Sequence, residues 1–118
     1  MKWLLLILTF LLVGFLLRSN SDILPEKAVS MVRNGAKLVD VRTPAEFEAG
    51  HIKGAVNIPL NAVKERLKEF GNPNEPIVLY CRSGNRSGQA QRILKESGFK
   101  NVHNLGGMAA WSKGVLSK

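Results

Sequence analysis

The sequence predicts an α/β domain built on a mainly parallel sheet. Short apolar stretches alternate with amphipathic ones, glycine or proline stands at nearly every junction, and Ile77 to Tyr80 is too apolar to be exposed on either side. A strand buried on both faces suits a parallel sheet covered by helices, and the alternation supplies the crossovers such a sheet needs.

The 118 residues divide into an apolar segment over 1–18, a polar linker over 19–22 and one domain over 23–118. Pro25 to Arg33 is the first predicted helix, with proline at its first position and Asn34-Gly35 as its stop. Lys37 to Val41 is a short strand. Thr43-Pro44-Ala45-Glu46 has the form of a capping box, so a brief helix runs from there to about Ala49 and Gly50 ends it. Ala55 to Ile58 is a second strand, stopped by Pro59. From Leu60 to Phe70 the apolar positions Leu60, Val63, Leu67 and Phe70 fall three and four apart, the spacing of a helix with one buried face. Ile77 to Tyr80 is the doubly buried strand. Ser87 to Ser97 is a helix with Ala90, Ile93 and Leu94 inward, Val102 to Leu105 a last strand, and Met108 to Lys113 a last short helix.

Trp3 to Leu17 contains no charged residue. As a helix at ~1.5 Å per residue it reaches ~22 Å, between an export-signal core and a full membrane span. Lys2 and Arg18 can extend toward the interfaces from its two ends. The run is read as a retained anchor in a bacterial-type inner membrane, with export and removal of a signal segment as the alternative; only Ser19-Asn20-Ser21 offers a cleavage site, and a weak one. Arg18, Lys27, Arg33 and Lys37 follow the run against Lys2 alone before it, which favours a cytoplasmic domain. A single lysine before an apolar run also begins exported chains, so the side stays open.

The chain carries 17 basic and 9 acidic residues. Such a surplus favours anionic partners, but the cations are dispersed without the clustered face that nucleic acid requires, so no nucleic acid is expected. A single cysteine, Cys81, excludes an internal disulfide and a multi-cysteine zinc site, and two distant histidines, His51 and His103, suggest no metal.

Ligands of an open parallel sheet sit beyond the carboxyl ends of its strands, where Cys81-Arg82-Ser83-Gly84-Asn85-Arg86-Ser87 falls. A glycine-containing loop running from strand into helix aims backbone N–H groups and the positive helix end into one concavity. Cations and a helix N-terminus lower a thiol pKa from ~8.5 toward neutrality and favour the nucleophilic thiolate. Cys81 is therefore the candidate nucleophile. Its competing reading, a small apolar residue at the end of a strand, does not account for the loop that follows it. Asp40 and Arg42 lie two apart on a strand end and point the same way, which suits a structural brace near the loop. His51 is read as a turn anchor, Gly106-Gly107 as a point of close backbone approach, and Trp111 as a core or rim aromatic.

These residues resemble the signature blocks of a single-domain rhodanese. The blocks are Asp40 to Phe47, Gly50 to Pro59, Cys81 to Ser87 and Gly106 to Trp111, in family order from about Ile23 onward. The resemblance implies a five-stranded, mainly parallel sheet flanked by helices on both faces, and a thiosulfate sulfurtransferase that needs no metal or organic cofactor. By the same resemblance Cys81 takes a sulfane sulfur from a small anionic donor such as thiosulfate, carries it as a persulfide and passes it to cyanide or a thiol. Arg82, Ser83, Gly84, Asn85, Arg86 and Ser87 would bind the substrate, with the two arginines drawing in the dianion. A carrier or non-catalytic domain that delivers or binds sulfur on a protein partner is the alternative. A cysteine-dependent phosphatase is a weaker one, because only four residues separate Cys81 from Arg86 where those enzymes place five.

Overall fold

The computed structural model describes residues 21–116, and Trp3 to Leu17 lies outside the described residues. Four strands, β1 (Lys37–Asp40), β2 (Val56–Asn57), β3 (Ile77–Cys81) and β4 (Val102–Gly107), form one sheet in the order β2-β1-β3-β4. Each neighbouring pair is parallel. Helices α1 (Pro25–Arg33), α2 (Pro44–Ala49), α3 (Asn85–Glu96) and α4 (Ala110–Leu116) complete the described domain. Among the described residues no helix is long and apolar enough to cross a membrane.

The period-two pattern of β3 explains its two-sided burial. Ile77, Leu79 and Cys81 join Ala90 and Leu94 of α3 in one apolar cluster, while Val78 and Tyr80 face Ala28 of α1 and Leu105 in another. Alternate side chains of a strand point to opposite faces, so a continuous apolar run fills both layers. The whole of β3 is buried.

Two expectations are corrected. The fifth strand implied by family resemblance is not formed among the described residues, where the sheet has four strands. The chain before α1 does reach β4, since Asp22 N–H donates to Asn104 O at 2.9 Å. Its side chain then interrupts the ladder: Asp22 Oδ1, in place of a backbone carbonyl, accepts Asn104 N–H at 2.7 Å. Leu60 to Phe70 is not one helix but two 3₁₀ turns, Leu60–Ala62 and Leu67–Phe70. The turn N–H groups reach back three residues, as in Val63 to Leu60 O and Glu69 to Arg66 O. Spacings of three suit 3₁₀ geometry as well as helix, and these turns bury Val63 and Phe70 without a continuous helix. Arg66, with φ −114° and ψ 33°, breaks the segment between them.

The short helix α2 forms as its sequence dictates. The Thr43 side chain accepts Glu46 N–H at 3.2 Å, and the Glu46 carboxylate accepts Thr43 N–H at 3.2 Å. This reciprocal capping satisfies donors that an isolated first turn leaves open.

At β4 the pairing shifts: Leu79 faces Asn104, but Tyr80 faces Gly106. The extra residue, Leu105, is a bulge that bends the strand end. Gly106 adopts φ +96°, and a Cβ on Gly107 would stand 2.7 Å from Arg82 O. Gly107 is required by the closeness of β4 to the loop that follows β3, and Gly106 by its positive φ and by Ser21, whose Cβ would stand 3.1 Å from an added Cβ.

Candidate active site

Cys81 is the last residue of β3, and α3 begins four residues later. Between them Gly84 takes φ 97° and ψ −12°, a left-handed turn that glycine enters without a Cβ clash. The turn folds the loop back on the sulfur. Gly84 N–H donates to Cys81 Sγ at 2.9 Å, and Ser87 Oγ lies 3.4 Å from it. Cys81 is 1% exposed.

Burial is the strongest influence on the thiol and pushes its pKa up. It is outweighed by hydrogen bonds from the Ser87 hydroxyl and from the N–H groups of Ser87, Ser83 and Gly84, so the net shift is downward. The start of a twelve-residue helix adds its positive end behind these donors. The sulfur thus sits in a cradle made for an anion, chiefly from neutral donors.

The six loop residues divide by what they do. Ser83, Gly84 and Ser87 converge on the sulfur. Arg82 and Asn85 have exposed side chains, and Asn85 Oδ1 accepts a hydrogen bond from Gln89 at 3.3 Å. Arg86 turns toward α2, where Nη1 and Nη2 meet Glu46 Oε1 and Oε2 at 2.7 and 3.0 Å.

Asp40 and Arg42 form a buried ion pair, with Arg42 Nη2 2.7 Å from Asp40 Oδ2. Arg42 Nε lies 3.0 Å from each Asp40 oxygen, and Nη2 also donates to Gly50 O at 2.6 Å. A buried pair survives because its remaining hydrogen-bonding capacity is filled. The Arg42 guanidinium also lies 5.8 Å above the Tyr80 ring. The pair ties β1 to the turn at Gly50 and thus sets the base of the site. His51 is held at that turn, with Nδ1 2.8 Å from Phe47 O and its ring stacked on Phe47 at 3.6 Å. Trp111 is half-buried against the α1 side of the sheet.

Sequence reasoning missed three contributors. Asn104 is fully buried; its Oδ1 accepts the Gly106 N–H left over by the bulge, and its Nδ2 donates to Gly84 O at 3.3 Å. It therefore links the strand end to the loop around the sulfur. Tyr80 OH accepts Ile52 N–H at 3.1 Å and its pKa is raised, first by burial. Glu46, recognised only as a helix cap, is also the partner of Arg86, forty residues away. Local patterns carry no signal for any of these contacts, apart from an asparagine set in an apolar strand.

An open hollow of ≈390 Å³ lies beside Arg86, lined by Val41, Thr43, Pro59, Leu60 and Asn61. It joins an apolar floor to a charged edge.

The Rhodanese-like domain family matches residues 24–114. The chain is 44% identical over 84 residues to the uncharacterized protein YqhL of Bacillus subtilis, a match covering 70% of this chain and 66% of that protein. It is 44% identical over 71 residues to the thiosulfate sulfurtransferase PspE of Escherichia coli, across 59% of this chain and 68% of that one. The chain therefore spans about two thirds of the length of these relatives. A solved rhodanese with anions from E. coli superposes with a TM-score of 0.62 at 40% identity, covering 64% of this chain and 91% of the other.

Proposed function

The chain belongs to the rhodanese-like domain family, and on that premise we propose that it is a sulfurtransferase whose Cys81 carries the sulfur. The Cys81 thiolate attacks the outer sulfur of thiosulfate or a related donor. A bond forms between Sγ and that sulfur, the donor S–S bond breaks, and the electron pair leaves on sulfite. The terminal sulfur of the resulting persulfide is then attacked by cyanide or a thiol acceptor, and the thiolate returns. This is covalent catalysis in two displacements. The observation that carries the reading is the ring of donors around Sγ, which lowers the thiol pKa despite near-complete burial. The same donors suit the anionic persulfide, and no general base is needed once the thiol is ionised.

Intact-mass measurement tests this. Excess thiosulfate should add one sulfur, about 32 Da, as a persulfide, and cyanide should remove it with release of thiocyanate. Cys81→Ser should show neither event. Sulfur uptake by that variant, or none by the unmodified protein from thiosulfate or thiosulfonates, overturns the assignment.

Membrane anchoring through residues 3–17 is part of the proposal and is supported by their unbroken apolarity. Ser21 lies against Gly106, whose strand partner is Tyr80. The domain's link to the apolar segment thus leaves beside β4, the edge strand next to the β3 that bears Cys81.

A further inference from the structure

The bidentate contact between Arg86 and Glu46 changes what a donor anion meets at the site. Arg86 is the second residue of α3, one residue before Ser87, whose hydroxyl and N–H serve the sulfur. Its guanidinium gives Nη1 and Nη2 to the two oxygens of one carboxylate, at 2.7 and 3.0 Å. That carboxylate is itself fixed, because Oε1 also accepts the Thr43 N–H at 3.2 Å and the Thr43 hydroxyl at 3.0 Å. The pair is about one third exposed on each side, so it is neither free in solvent nor sealed in the core. Glu46 is held down to a pKa of about 2, first by Arg86, and is ionised throughout the neutral range.

A fixed negative charge beside a fixed positive one leaves a short dipole in place of a free cation. We propose that Glu46 is a positioning and specificity-determining residue of the sulfur-transfer site: it clamps Arg86 to α2 and offsets its charge, so that the site discriminates little among donors by charge and holds sulfur by neutral N–H groups. This rests on the sulfurtransferase reading above. Its chemical consequence is breadth: a monoanionic thiosulfonate, R–SO₂–S⁻, suits the site nearly as well as dianionic thiosulfate. Both deliver their outer sulfur to the Cys81 thiolate by the same step, one losing sulfinate and the other sulfite.

Glu46→Gln removes the charge and retains an acceptor for the Thr43 cap. The attraction of Arg86 then acts uncompensated, and because Coulomb energy scales with donor charge, the gain for a dianion is the square of that for a monoanion. The experiment measures kcat/KM for thiosulfate and for methanethiosulfonate in both proteins at low and high salt. The variant should gain roughly tenfold on thiosulfate and roughly threefold on the thiosulfonate at low salt, mostly through KM, and both gains should shrink at ~1 M salt. Arg86→Ala leaves Glu46 uncompensated and should shift the donor ratio the opposite way, toward the monoanion. The salt dependence carries the same question: the thiosulfate kcat/KM of the unmodified protein should fall less steeply with salt than that of Glu46→Gln.

Equal losses on both donors with lowered kcat would make Glu46 merely structural and overturn the inference. An unchanged donor ratio with the folded variant would do the same, as would a salt slope in the unmodified protein as steep as the variant's. Absence of any sulfur uptake by the unmodified protein, from either donor, overturns the sulfurtransferase reading together with this one.

Discussion

At Cys81 two opposing influences act on one atom. Burial alone would hold the thiol neutral, yet hydrogen bonds from Ser87, Ser83 and Gly84 bring the pKa down. A hydrogen bond to a charged group is worth ~1.5–3 kcal/mol, so losing one donor from this set matters. Ser87→Ala removes the hydroxyl 3.4 Å from Sγ. Its thiol should titrate at higher pH than in the unmodified protein, and alkylation at neutral pH should be slower, because the lowered pKa exists only while the thiolate is bonded. Rates of iodoacetamide reaction followed from pH 5 to 10 would reveal the shift. An unmoved profile would mean that the backbone donors suffice. The Asp40–Arg42 pair shows the other side of residue-scale chemistry: with side chains 0% and 7% exposed, each member keeps the other tolerable in the interior.

At the scale of elements, the site is made where four pieces meet: the end of β3, the start of α3, the bulged end of β4 and the capped start of α2. The β4 bulge brings Gly107 so close to the loop that a Cβ would stand 2.7 Å from Arg82 O. Gly107→Ala should cost about 1–3 kcal/mol, as overpacking does. It should also slow sulfur uptake, since the Arg82 carbonyl can yield only by moving the loop that bears the sulfur's donors. Urea unfolding and mass-resolved uptake together decide the point. Full stability with full activity would show that the two strands separate more readily than this contact implies. Capping and catalysis are also joined here, because the carboxylate that closes the α2 cap holds Arg86 of α3.

For the whole molecule, the prediction concerns where the domain works. Trp3 to Leu17 is unbroken in its apolarity, and a short linker joins it to Ser21, which lies against Gly106 of the edge strand β4. Expressed at full length, the protein should retain its N-terminus and float with membranes in a density gradient, and removing residues 1–20 should release the domain with its sulfur uptake intact. N-terminal sequencing that begins near Asp22 would replace the anchor with a removed export signal. Sequence by itself determined much of this protein, because the signals involved are local: proline and glycine mark where α1 and α2 start and stop, the capping box sets α2, the apolar run of β3 dictates two-sided burial, and the strand-to-glycine-loop-to-helix pattern marks Cys81. Tertiary structure decided what depends on residues distant in the chain. Spacings of three and four around Val63 are compatible with a helix and with 3₁₀ turns, and packing chose the turns. The strand count came out at four among the described residues because Asp22 meets β4 with a carboxylate where a strand would place its backbone. Glu46 and Arg86, forty residues apart, and Asn104 and Gly84, twenty apart, have no periodic relation that a sequence could display; only the closing of the sheet brings them within hydrogen-bonding distance.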